Sequence, residues 1–272
     1  MDLLKRAKYY KKNHRGEKVL NSAGIIIPFI IFLSLSFILL IQGVAKNIFQ
    51  IYMLDLIYLI IILSMGLGTL GFIDDLWGDR KILGFKGHFK ELIFKGKLTT
   101  GALKAIGGGA ICIVISKEFS TDMVSLIVNA VILAFFVNFI NLMDVKPGRA
   151  IKMFLFLGML GFCSFIYISY NGNIILNIAS SIWVIWGLIL GPLIALFVYE
   201  LKEIIMLGDA GSNIMGGILG ITFLSAFHQP TIRFVALGIL FIIHVYAEKK
   251  SISDIINNVA FLKNIDEMGR KK

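Results

Sequence analysis

The sequence predicts an all-α, polytopic transmembrane protein of about eight spans, and three observations carry that reading. The first is composition. Of 272 residues, 57% are apolar and 16% charged, against about 45–50% and about 25% in an ordinary soluble domain. The second is arrangement: the apolar residues gather in eight runs, several near the length of about 20 residues that a helix needs to cross hydrocarbon. The third is charge placement. With the runs taken as alternating spans, the loops 1–21, 74–104, 142–152, 200–210 and 248–272 hold 24 of the 27 Lys and Arg residues. The opposite loops hold only Lys46, Lys117 and Arg233. Basic residues collect on the cytoplasmic side, so both termini are expected there. The net charge of +10 then reflects topology and anionic headgroups, and no nucleic-acid partner is expected.

Taken in order, span 1 is expected over Ser22–Ile41. It is too long for a signal-peptide core and lacks an obvious small-residue cleavage site, so it reads as retained. Spans 2 to 6 are expected over Ile51–Ile73, Ala102–Ser116, Met123–Leu142, Ile151–Tyr170 and Ile174–Tyr199. Span 7 covers Ile214–Phe227 and span 8 Ile232–Ala247. Spans 3 and 7 are short and glycine-rich, and the long sixth carries Gly191-Pro192, where a kink is natural. Residues 1–272 form one integral membrane domain, with 248–272 as a cytoplasmic amphipathic tail. Ile252, Ile255, Ile256 and Val259 follow helical spacing in that tail, as expected of an interfacial helix. In the loop Gly84–Gly101, Phe85, Phe89, Leu92 and Ile93 do the same, with Lys86, Lys90, Lys95 and Lys97 between them. Cys112 and Cys163 lie in apolar runs and are read as packing residues. The four histidines, His14, His88, His228 and His244, have no ligand spacing.

Ionisable groups near membrane depth are costly, so each is a functional candidate. Span 2 ends in Gly71-Phe72-Ile73-Asp74-Asp75. Span 4 ends in Asn138-Phe139-Ile140-Asn141-Leu142-Met143-Asp144, where Asn138, Asn141 and Asp144 step by three and share a helix face. Span 6 leads into Gly208-Asp209-Ala210-Gly211-Ser212. Four carboxylates thus meet one leaflet boundary from three helix ends. Adjacent carboxylates repel unless a positive group intervenes, and Mg²⁺ takes one or two carboxylates together with substrate phosphates. Glycines before a helix N-terminus free N–H groups for an anion, although Ser212 or Asp209 can equally be a plain N-cap. Gly216 and Gly220 form a small-xxx-small pair, read as close helix packing.

These three motifs, in this order and on one face, resemble the polyprenyl-phosphate N-acetylhexosamine-1-phosphate transferases. Asn13-His14-Arg15-Gly16, Gly87-His88 and Leu98-Thr99-Thr100-Gly101 add to the likeness, which runs over most of the chain. The resemblance implies that a polyprenyl phosphate attacks the β-phosphate of a UDP-N-acetylhexosamine at the cytosolic face, releasing UMP, in cell-envelope glycan synthesis. It implies Mg²⁺ as cofactor with Asp209 as ligand, and Asp74 and Asp75 as the catalytic acidic pair. Substrate contacts are expected from Asn138, Asn141, Asp144, Lys86, Lys97, Lys104, Arg149, Gly211 and Ser212. A bacterial inner membrane, membrane lipids as partners and a homodimer are further implications. There are departures. The family motif N-L-x-D-G-x-D-G reads here Asn141-Leu142-Met143-Asp144-Val145-Lys146-Pro147-Gly148, followed by Arg149. Pro147 replaces a second Asp, the histidine-rich loop is absent, and there are fewer spans than usual.

Two other readings stand beside this one. A catalytically weakened relative would bind nucleotide sugar, lipid phosphate or an envelope-pathway partner. A carrier would place polar groups in the middle of its spans; here the cluster lies at one face, and Asp55 is explained by snorkelling to the outer surface.

Overall fold

The computed structural model describes residues 4, 9–44, 51–78, 91, 93–172 and 176–271. Among these residues it is all-α apart from one short hairpin. The helices coincide with the eight apolar runs: α1 Ile26–Val44, α2 Ile51–Trp77, α3 Thr100–Ser116, α4 Met123–Met143, α5 Arg149–Gly172, α6 Leu176–Leu201, α7 Gly208–Ala226 and α8 Pro230–Lys249. Among the described residues, Ala23–Ile41, Asp55–Trp77, Met123–Met143 and Pro230–Lys249 are long and apolar enough to cross a membrane.

The axis of the bundle is α7. Every residue in it except Asp209 and Phe223 is buried, against α1, α2, α4 and α5. That burial explains its composition: a helix enclosed by protein need not present hydrocarbon, and small residues let its neighbours approach. A Cβ at Gly216 would run into the α4 backbone at Phe136 and Val137, and one at Gly217 would strike Leu63 of α2. Thr222 on α7 accepts from the Trp186 indole of α6 at 3.2 Å, and Trp186 stacks on Phe154 of α5 with ring centroids 4.8 Å apart.

Three features depart from the sequence expectation. Residues 10–20, read as a polar basic stretch, form an antiparallel hairpin of β1 Tyr10–Lys12 and β2 Lys18–Leu20. Asn13 makes its turn: Oδ1 accepts from the Arg15 and Glu17 N–H groups at 2.9 Å each, and Gly16 takes φ +81°. The Asn13-His14-Arg15-Gly16 motif therefore has a structural role. Secondly, α7 begins at Gly208 rather than Ile214, so Asp209, Gly211 and Ser212 lie inside the helix. Thirdly, the tail forms two short helices, α9 Ile252–Asn258 and α10 Ala260–Glu267, broken at Val259.

At one end of the bundle, Arg233 near the start of α8 ties the end of α7 to the segment that follows α3. Its Nε donates to Phe227 O at 2.8 Å, Nη1 to Phe119 O at 3.0 Å and Nη2 to Leu224 O at 3.1 Å. At the opposite end, Leu20 pairs with the α6–α7 connection: its N–H donates to Ile204 O at 3.2 Å, and its carbonyl accepts from the Met206 N–H at 2.8 Å.

The glycine packing makes a direct prediction. Gly216→Val will destabilise the protein by about 1–3 kcal/mol through overpacking. Gly238→Ala on α8, where an added Cβ meets nothing within 4 Å, will be neutral or slightly stabilising. Thermal unfolding in detergent measures both.

Candidate functional site

The hairpin end of the bundle gathers most of the expected site residues. Successive positions on a helix point about 100° apart, and the two carboxylates that end α2 diverge accordingly. Asp74 faces α3, where Lys104 Nζ lies 3.8 Å from its Oδ2. Asp75 faces the start of α7. Its Oδ1 accepts from Asn21 Nδ2 at 3.2 Å, and its Oδ2 from the Ala210 N–H at 3.4 Å. A carboxylate at that helix end pairs with N–H groups that have no partner within the helix.

Lys104 also pairs with Asp209 Oδ2. Asn141 completes this group. With its amide nitrogen toward α7 it donates to Asp209 Oδ1 at 2.9 Å and Ser212 Oγ at 3.0 Å, and its oxygen accepts from Lys104 Nζ at 3.2 Å. This orientation satisfies all three neighbours. The positive group between the carboxylates is thus a lysine ammonium. Among the described residues no three His, Cys, Asp or Glu side chains are arranged to hold a metal ion. Asp144 caps the end of α4. Burial, reinforced by Glu200, Asp209 and Asp75, lifts its carboxyl well above the usual range, and its sealed Oδ1 has no hydrogen-bond partner.

A cavity of about 770 Å³ begins at this cluster, with Asp74, Lys104, Asn138, Asn141 and Asp209 at its polar end. Farther along, its walls are Leu67, Cys112, Ala134 and Phe135, from α2, α3 and α4. Phe241 of α8 also lines it and is 56% exposed, so the cavity reaches the side of the bundle.

The other expected residues fall elsewhere. Gly211 and Ser212 are buried in α7 and do not line the cavity. Lys97 is exposed, just before Thr99, which caps α3 by accepting from the Ala102 N–H. Lys86 lies outside the described residues, as do His88 and most of the loop around it. Arg149, expected at substrate, is buried in the tail contact instead: Nε and Nη2 donate to Asp266 at 2.8 and 2.9 Å, and Nη1 to Ser253 Oγ at 2.8 Å. Arg270 donates to Pro147 O at 3.1 Å and to Asp266 Oδ1 at 3.2 Å. The segment after Asp144 therefore holds the tail.

Sequence reasoning missed Glu200. It ends an apolar run, where a lone acid reads as a solvated loop residue. It is in fact fully buried, and its carboxylate accepts from the Leu207 N–H at 2.6 Å and the Gly148 N–H at 2.7 Å. One side chain thus ties the start of α7 to the start of α5. No protein-family model matches the chain, and no curated protein matches it.

Two outcomes are expected. Glu200→Ala will cost about 1–3 kcal/mol for each backbone N–H left unpaired, read as a lowered unfolding midpoint. Burial opposes the charge on Asp266, but the Arg149 hydrogen bonds and the Arg149 and Arg270 charges outweigh it and hold the carboxyl down to about 2. A depressed folded-state pKa stabilises docking fully above the unfolded value of about 3.9, and that stability is lost as pH falls toward the folded value. Limited proteolysis of the tail should therefore be constant from about pH 7 to about 5 and rise sharply in strong acid. In Asp266→Asn the tail should be cleaved readily at neutral pH.

Proposed function

We propose that the chain is a multi-pass membrane enzyme that transfers a phospho-N-acetylhexosamine from a UDP-sugar to polyprenyl phosphate, releasing UMP. The observation that carries this reading is the junction of a carboxylate, amide and lysine cluster with an apolar cavity that reaches the side of the bundle. A lipid phosphate needs that junction, because its head requires charge-bearing partners and its chain requires hydrocarbon. The reading takes α1 to α8 as spans with both termini cytoplasmic, as the basic loops favour. The cluster then faces the cytosol, where a nucleotide sugar arrives. The setting would be a bacterial inner membrane and cell-envelope glycan synthesis.

In this reading a lipid phosphate oxygen forms a bond to the β-phosphorus while the bond to UMP breaks, and UMP carries away the electron pair. The attacking phosphate is already anionic, so the protein's task is positioning and charge neutralisation. Lys104 takes a phosphate oxygen, and Asn141 and Asn138 hold neutral parts of the substrate. Asp75 fixes the first turn of α7, which aims Asp209. Asp209 and Asp74, at the polar end of the cavity, would be the carboxylate ligands of Mg²⁺, an ion that commonly takes one or two carboxylates together with substrate phosphates. Bound there, the ion would neutralise pyrophosphate charge.

A second reading is a binding-only relative. It is favoured by Pro147, which stands where the family motif has a carboxylate and whose carbonyl accepts from Arg270 of the tail. UMP release by purified protein with polyprenyl phosphate, Mg²⁺ and a panel of UDP-sugars separates the two. Release with one sugar, reduced about 100-fold or more in Asp209→Asn and Asp75→Asn, is the expected result. Near-wild-type turnover in either variant would sink the assignment. Binding of UDP-sugar without release would favour the second reading.

A further inference from the structure

Below the charged cluster the cavity carries a second, neutral polar tier. Asn213 lies four residues into α7 from Asp209, Asn138 three before Asn141 on α4, and His244 four before Glu248 on α8. At 1.5 Å per residue, each sits about 4–6 Å deeper than its charged or amide partner. All six residues line the same cavity. Asn213 is 1% exposed, and its Oδ1 has no hydrogen-bond partner. His244 stacks on Phe135, with ring centroids 4.5 Å apart. Its Nδ1 lies 2.7 Å from Leu240 O, so the neutral ring carries its proton on Nδ1 and leaves Nε2 as a bare acceptor. That Nε2 is also buried without a partner. A buried acceptor left unpaired is costly, and a hydrocarbon chain offers nothing to pair with it.

The geometry points to a donor-reading subsite: His244 Nε2 and Asn213 Oδ1 accept from a hydroxyl or amide N–H that the ligand carries within one helical turn of its phosphate. This rests on the cavity being where a phosphate-bearing ligand binds. Two sources share that chemistry. A sugar 1-phosphate carries a donor at C2, beside the phosphate. A glycerol-type lipid phosphate carries a free hydroxyl one carbon away from its phosphate ester. A plain prenyl phosphate carries neither. In the transferase reading, the subsite therefore discriminates on the sugar.

The test is calorimetric binding to the full chain in detergent with Mg²⁺, using two probe pairs. One pair is N-acetylglucosamine 1-phosphate and 2-deoxyglucose 1-phosphate. The other is 1-oleoylglycerol 3-phosphate and its 2-deoxy analogue. Wild-type protein should favour the donor-bearing member of one pair about tenfold, and that pair names the source. His244→Phe keeps the ring stack and Asn213→Leu keeps the volume, and each should cut the ratio to about twofold or less. His244→Gln, which returns an acceptor, should recover most of it. Equal binding within both pairs in wild type, or a ratio that survives both variants, would overturn the subsite. The probes carry no nucleotide leaving group, so a failure of UMP release leaves this result readable.

Discussion

A helix sealed inside other helices needs partners in the protein for its first N–H groups. That constraint on α7 organises this molecule. Glu200 takes the Leu207 N–H, and Asp75 takes that of Ala210. The turn between the hairpin and α1 is stitched alongside, with the Ala23 N–H on Met206 O at 3.0 Å and the Gly24 N–H on Leu207 O at 2.9 Å. Once the end is pinned, almost every side chain of the helix is enclosed, and Asp209 is left facing the cavity. A carboxylate in that position needs a cation, and Lys104 of α3 supplies it.

The same pinning links distant parts of the chain. Through its second bond, to Gly148, Glu200 joins the start of α7 to the loop beside Arg149, and Arg149 holds Asp266 in the tail. Direct contacts thus run from the C-terminal helices to the first turn that carries Asp209. Glycines permit the approach. A Cβ at Gly71 would run into the Asp209 backbone, and one at Gly208, which has φ +73°, would meet the Asp75 carboxylate. Close backbone packing and carboxylate placement are therefore one arrangement.

Much of this was legible in the sequence, for physical reasons. Apolar runs with basic flanks mark helices and the sides of a bundle, and the coincidence of polar residues at three helix ends marked Asp74, Asn138, Asn141 and Asp209. Other parts were not legible. The true start of α7 is hidden because Gly208-Asp209-Ala210-Gly211-Ser212 reads as loop; its end N–H groups are taken by Glu200 just before it and by Asp75, far away in the chain. Arg149 looks like a phosphate ligand until its partner Asp266, more than a hundred residues later, is beside it. His244 in an apolar helix looks like a core residue until the cavity behind it is seen.

In the proposed enzyme Lys104 stands, between Asp74 and Asp209, where a divalent cation and a diphosphate would come together. A crystal structure determined with Mg²⁺ and UDP tests it most directly. The expected result is Mg²⁺ bound by Asp209, with Lys104 withdrawn from that carboxylate onto a phosphate oxygen. An intact Lys104–Asp209 pair, with nucleotide and metal bound elsewhere or not at all, would contradict it.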